Sequence, residues 1–302
     1  MALPVHIALV SDGLNINSSD MTQVAAALSK QVQRDFEPIW DVDATVDGFG
    51  KLEDIPTGYW PIIVMRNVQG AAGYHEDKNG QPFAVVEYGD QWSITASHEC
   101  LEMLADPFGQ RLVEGNLLDQ AIQLGLPPGR VQYLVEICDP SESAQFGYQV
   151  NGIQVSDFYT PSFFDPIKAT GVRYSFTGAI DGPRKVLDGG YISWEDPVST
   201  HWSQLRMFPD EISSAVPHVV DLSQQTAFEE FKKMRNIRSA VDRVTKFNYR
   251  EGLRGPALMA ARVSMDTSAA AREARAAAIR EQIGELRQKG TKATRSRKAK
   301  GK

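Results

Sequence analysis

The spacing of apolar residues changes character along the chain, and each change predicts an element. Ile7 to Val10 form a short apolar run that stops at Ser11-Asp12-Gly13, which predicts a first strand. Met21, Val24, Ala25, Leu28, Val32 and Phe36 then recur at helical spacing, with Ser18, Ser19 or Asp20 available as a cap. Strands are expected at 38–46 and 60–68, the second carrying Ile62-Ile63-Val64-Met65, an unbroken run suited to burial on both faces. Gly73-Tyr74-His75 leads to a turn at Lys78-Asn79-Gly80, and the strand expected at 82–88 begins with a proline, which favours an edge position. A helix over 94–105 is closed by Asp106-Pro107.

Farther along, the pattern turns to short strands. One is expected at 131–137. Tyr148-Gln149-Val150 and Ile153-Gln154-Val155 flank Asn151-Gly152 as a two-residue hairpin, and strand-like runs surround 172–176 and 191–194. Past Trp202 the chain reads as helical. Residues 227–244 are charged and periodic, and Asp266, Thr267 or Ser268 can cap an Ala, Arg and Glu-rich helix running to about Leu286. The expected fold class is therefore α+β: a mixed sheet with a chemistry-bearing helix, a β-rich segment, and a helical carboxy-terminal part. The corresponding division is 1–205, a helical extension over 206–265, and 266–302 as a helix with a disordered basic tail.

Composition adds the setting. Of 302 residues 42% are apolar and 23% charged, enough for a large core. The start of the chain reads as a strand rather than an export leader, and no apolar run approaches the roughly 20 residues of a membrane helix, so a soluble, cytoplasmic protein without membrane contact is expected. Two cysteines, Cys100 and Cys138, suit a reducing compartment. Arg287 to Lys302 carries eight Lys or Arg and no acid, so the body is more acidic than the net charge of -6 suggests. That tail has the composition of an arm able to make weak nucleic-acid contact, or simply of a solubilising tail.

The helix over 94–105 is where chemistry concentrates. Thr95, His98, Glu99, Glu102 and Asp106 fall within one arc of about 100°. A solvated face normally mixes cations with its acids, and this arc has none; either a metal ion or a Lys or Arg from elsewhere must supply the charge. His98 and Glu102, at i and i+4, can converge on one ion, with Glu99 beside them as a general base. Zinc accepts both donor types and makes water nucleophilic near neutral pH.

The order of elements, with Gly73-Tyr74-His75, residues 82–88 and the Ser97 to Pro107 segment, resembles the amino-terminal half of zincin metallopeptidases, in an H-E-x-x-E variant. Gln33-Arg34-Asp35-Phe36, Pro38-Ile39-Trp40, Ser97-His98-Glu99, Leu101-Glu102-Met103-Leu104 and Glu136 with Cys138-Asp139-Pro140 resemble, more narrowly, a group of uncharacterised bacterial and phage proteins. The resemblance spans about residues 1–205. It implies a metal site and an edge strand that binds extended peptide by strand addition, a role it assigns to 82–88.

Strand alternation makes Glu136 the first choice for a third ligand, with Asp139 next and Asp106 after it. His75, Asp106 and Asp139 are also candidates for outer support of the site or for substrate contact, and the aromatic run Tyr159 to Phe164 reads as core. Phosphate-binding glycine loops and Ser or Cys nucleophile motifs are missing. The expected function is a metal-dependent hydrolase, with zinc or another divalent ion, acting on a peptide or related amide bond of a peptide or protein substrate, with a non-catalytic zincin-like binding or structural module as the alternative.

Overall fold

The computed structural model describes residues 4–68, 72–234 and 236–245. The helix expected over 266–286 and the basic tail from Arg287 to Lys302 lie outside the described residues. The fold is α+β. β1 (Val5–Ser11) leads to α1 (Ser18–Gln31), which continues through a π-helical turn at Val32–Phe36 into the short α2 (Glu37–Trp40). β2 (Ala44–Phe49), β3 (Trp60–Met65), β4 (Gly73–Lys78) and β5 (Gln81–Glu87) follow, then α3 (Trp92–Ala105).

These strands form one sheet in the order β2-β1-β3-β5-β4, parallel throughout except for β4, which runs antiparallel to β5 at the edge. β1 is covered on both faces, with Ile7, Ala8, Leu9 and Val10 all fully buried, whereas β3 alternates: Ile62 and Val64 are buried and Ile63 and Met65 half-buried. α1 and α3 pack against the sheet and against each other. Ser97, at the head of the His-Glu motif, donates to Gln31 Oε1 at 2.7 Å and accepts from the Ser156 N–H at 2.9 Å, which fixes the axial position of α3.

The second half begins with β6 (Leu112–Asn116), the short α4 (Asp119–Gln123) and β7 (Arg130–Leu134). The hairpin β8 (Tyr148–Val150) and β9 (Ile153–Val155) turns at Asn151-Gly152, both at positive φ. β10 (Tyr191–Glu195), β11 (Trp202–Arg206) and β12 (His218–Asp221) complete an antiparallel sheet ordered β12-β11-β10-β7-β6. α5 (Thr226–Met234) and α6 (Ile237–Thr245) end the described chain. Ala240, Val241 and Val244 of α6 pack with Trp202, Phe228 and Leu134 in a cluster separate from the main core.

Five local expectations need correction, the first being the helical reading past Trp202, where β11 and β12 still belong to the second sheet and helices begin only at Thr226. The helix cap is Asn17, whose side chain accepts from Ser19 N–H, one residue before the expected candidates. Residues 37–40 are helical, with Pro38 in the first turn, so the strand begins only at Ala44. The edge strand is β4, not residues 82–88. Pro82 is tolerated because it lies at the start of β5, opposite Asp77, and the Asn79-Gly80 turn at positive φ folds β4 back outside it. The periodic stretch 227–244 is two helices; Asn236 begins the second by accepting from Ser239 N–H at 2.8 Å. Among the described residues no helix is long and apolar enough to cross a membrane.

Candidate metal centre

Every residue of α3 from Ile94 to Ala105 is buried, including the polar arc. Burying a carboxylate costs several kcal/mol unless its charge is compensated, so the surroundings of His98, Glu99 and Glu102 decide what this helix does. Three other segments reach it. β4 brings His75; the chain after β7 brings Glu136, Cys138 and Asp139; and α6 brings Arg238 and Asp242.

His98 Nε2 lies 3.3 Å from Glu102 Oε2 and 3.2 Å from Asp139 Oδ1, while its Nδ1 is buried without a hydrogen bond. Burial would lower the His98 pKa, but the Glu102 charge, with hydrogen bonds to Asp139 and Glu102, raises it well above the usual value: a positive charge is strongly favoured at Nε2. Glu102 Oε1 accepts from the Cys138 N–H at 3.0 Å, which turns Oε2 towards the imidazole. Glu99 Oε2 lies 3.4 Å from His75 Nδ1. The His75 ring is held from its other side, with Nε2 3.1 Å from the carbonyl of Asp106. Asp106 itself turns its carboxylate away, to accept from Arg111 N–H at 2.7 Å, so its contribution to the site is made by its backbone.

Three groups of side chains bring donor atoms within 4.8 Å of one another and could hold a metal ion: His98 with Glu102 and Cys138; His75 with Glu99 and Glu102; Glu102 with Glu136 and Asp139. Glu99 Oε2 and Glu136 Oε1 face these positions without a hydrogen bond, whereas Glu102 Oε2 and Glu136 Oε2 meet Arg238. The donor set, imidazole and carboxylate, suits a divalent first-row cation. Cys138 is less suited: burial and then the Glu102 charge push its thiol well above the ordinary value, and its Sγ sits 3.8 Å from the His98 carbonyl.

Glu136 lies beyond β7, which ends at Leu134, and so does not obey the strand alternation expected of it. The chain there curls towards a 3-10 turn at Asp139–Ser141, which lets both Glu136 and Asp139 approach Glu102. Gly190 permits the curl, since a Cβ there would come within 2.6 Å of the Asp139 carbonyl oxygen.

The cation absent from α3 arrives from α6. Arg238, only 1% exposed, places Nη2 2.9 Å from Glu102 Oε2 and Nη1 3.2 Å from Asp139 Oδ2, contacts Glu136 through Nη1, and pairs its Nε with Asp242 one turn on at 2.9 Å. Burial would raise the Glu102 pKa, yet Arg238 and then His98 hold it far below the usual range. Asp139 goes the other way: burial and then the Glu102 charge raise it well above the carboxylate range. Asp242 is pushed up to about 6 by burial against the pull of Arg238. One guanidinium therefore serves Glu102, Glu136, Asp139 and Asp242, and among the described residues no other Arg or Lys ion-pairs with them. Metal-free, the centre meets its shortage of cations with protons, His98 being raised into its charged form and Asp139 towards its neutral one.

Sequence reasoning missed Arg238 and Asp242. Their i, i+4 spacing beside Val241 and Val244 reads as a surface ion pair on an amphipathic helix, and only the docking of α6 buries it. The docking is anchored at the turn after α3: Asn236 Nδ2 donates to the Phe108 carbonyl at 3.0 Å, and Arg238 N–H to the Gly109 carbonyl at 3.0 Å. No protein-family model matches the chain, and no curated protein or solved structure shows significant similarity to it.

Proposed function

We propose that the chain is a metal-dependent hydrolase of peptide or related amide bonds, holding Zn2+ through His98, Glu102 and Asp139 with Glu99 as general base. The observation that carries this reading is the pair of separations from His98 Nε2, 3.3 Å to Glu102 Oε2 and 3.2 Å to Asp139 Oδ1. Donors about 2.0 to 2.1 Å from a tetrahedral ion stand about 3.3 Å apart. Asp139 is preferred to Glu136 as third ligand because its Oδ1 approaches His98 directly, leaving Oδ2 to Arg238, whereas Glu136 meets Arg238.

A bound zinc ion would supply Lewis acidity and make water acidic enough to react near neutral pH. Glu99 sits one residue from His98, close to Gly73, where it would accept the proton from water and return it to a leaving amine. The sheet supports the zincin resemblance: a parallel core is finished by one antiparallel edge strand, β4, and followed by the His-Glu helix. The strand-addition role then falls to β4, on the Glu99 side of the site, rather than to residues 82–88.

A second reading is favoured by α6, which packs against β4 and closes the centre with Arg238. Under it the ion is structural and the chain does not catalyse. Metal analysis combined with a peptide-library cleavage screen separates the two. A hydrolase retains zinc and cleaves, and Glu99→Gln abolishes cleavage while the ion at His98 stays. A structural site retains zinc and cleaves nothing, even in a variant whose α6 has been loosened. Absence of bound metal would reject both.

A further inference from the structure

The hydrolase reading leaves His75 without a role, yet its surroundings are specific. The ring is fully buried, and Nε2 stands 3.1 Å from the Asp106 carbonyl, which can only accept, so Nε2 carries a hydrogen. Nδ1 makes no hydrogen bond and points at two carboxylate oxygens, Glu99 Oε2 at 3.4 Å and Glu102 Oε2 at 3.9 Å. Glu99 Oε2 makes no hydrogen bond either, whereas Glu102 Oε2 also meets Arg238 Nη2 at 2.9 Å. A neutral imidazole would aim a bare lone pair at two anions, which is repulsive unless a cation stands between them.

We propose that His75 Nδ1, Glu99 and Glu102 form a second divalent-cation site, adjacent to the first and joined to it by Glu102. The separations fit a shared ion: both lie between the roughly 3.0 and 4.2 Å that separate neighbouring and opposite donors about 2.1 Å from an octahedral ion. Donation of the second ring nitrogen to a backbone carbonyl is how ligating histidines are generally oriented. A Cβ at Gly73 would lie 2.8 Å from Thr95 Cγ2 and 2.9 Å from Glu99 Oε1, so only glycine lets β4 pass this close to Glu99. One imidazole and two carboxylates suit Zn2+ or Mn2+.

The site rests on the hydrolase reading in sharing Glu102 with the first ion, and it refines that reading to a two-ion centre of the kind that clamps attacking and leaving groups in some hydrolases. Glu99 would bind through Oε2 and retain Oε1, beside Gly73, for proton transfer.

The test is a count of ions. The full chain, stripped with chelator, is dialysed to equilibrium against buffered Zn2+ and zinc per chain is measured, with far-UV circular dichroism to confirm folding. Two ions are expected in the wild type, one in His75→Gln, whose amide can still donate to the Asp106 carbonyl, one in His98→Ala, and none in the double variant. A single ion in the wild type, unchanged by His75→Gln and lost in His98→Ala, overturns the second site and leaves the first. No ion overturns both. Two ions retained in His75→Gln overturn the ligand assignment. Should His75→Gln not fold, Co2+ titration of the wild type reads the same question: two successive absorption changes support the pair, and saturation at one equivalent rejects it.

Discussion

Arg238 Nη2 lies 2.9 Å from Glu102 Oε2, so the carboxylate at the heart of the His-Glu helix is paired by a residue on the last described helix. The guanidinium and a divalent ion draw on the same oxygens. Their relation is the most direct route to testing the centre.

Arg238→Met removes the cation and keeps the aliphatic bulk. In metal-free protein it is expected to cost roughly 3 to 5 kcal/mol, because Glu102 and Glu136 are left buried without their partner. Added Zn2+ should restore more stability to the variant than to the wild type, since the freed oxygens become available to the ion. Urea unfolding with and without Zn2+ measures both. An equal zinc effect in the two proteins would mean that Arg238 and the ion do not share ligands.

Gly109→Ala tests whether α6 is a cover. Gly109 has φ +60°, and a Cβ there would lie 2.7 Å from Arg238 Cβ. The substitution should cost about 1 to 3 kcal/mol through backbone strain, and more if the contact breaks. Amide exchange over 237–245 should speed up while β1 and β3 keep their protection, and zinc exchange should accelerate. Unchanged exchange in α6 would show that the turn after α3 does not hold it.

Much of this architecture is legible in the chain, and the reasons for the rest are physical. Ile62 to Met65 declares a strand, though only Ile62 and Val64 are buried and the other face is half-covered, and the polar arc of α3 declares a helix with chemistry. What a pattern cannot carry is the direction of burial. The arc containing His98, Glu99 and Glu102 looks like a face presented to solvent or substrate, but in the fold it turns inward, because β4 and α6 cover it. Pro82 is equally ambiguous, since a proline at the start of a strand can lie inside a sheet as well as at its edge. Arg238 was hidden for a related reason: a local i, i+4 partner satisfies it in the sequence, and only tertiary packing shows that it serves three distant carboxylates as well.

Asp157 gives the fold a pH dependence away from the centre's ligands. It is fully buried, and burial pushes its pKa up to about 6 from 3.8, against hydrogen bonds that include the Thr177 N–H at 2.8 Å. Between those values the folded state binds more protons than the unfolded one, so stability from this group falls as pH rises from about 4 to 6 and stays lower above. The loss is on the order of 3 kcal/mol, at 1.36 kcal/mol per unit. Asp157→Asn should remove it, giving a variant that gains on the wild type as pH rises through that window in urea unfolding. Parallel pH profiles for the two proteins would reject the assignment.

The assignment of the third ligand turns on two acids that the curl after β7 brings to Glu102. Asp139 Oδ1 faces His98 Nε2 at 3.2 Å, whereas Glu136 contacts Arg238 Nη1. If Asp139 ligates, Asp139→Asn replaces an anionic donor by a neutral one, and zinc affinity should fall by well over the 10 to 100-fold typical of losing an outer partner. Glu136→Gln should weaken zinc binding only within that smaller range, because it acts by releasing Arg238. It should also lower metal-free stability, since it removes one partner of a buried ion pair. The two variants thus separate affinity from stability: one loses mainly zinc, the other mainly stability. Competition titration with a zinc indicator, run beside urea unfolding in chelator, reads both quantities on the same proteins. A larger affinity loss in Glu136→Gln than in Asp139→Asn would return the third-ligand role to Glu136 and make Asp139 the anchor of Arg238.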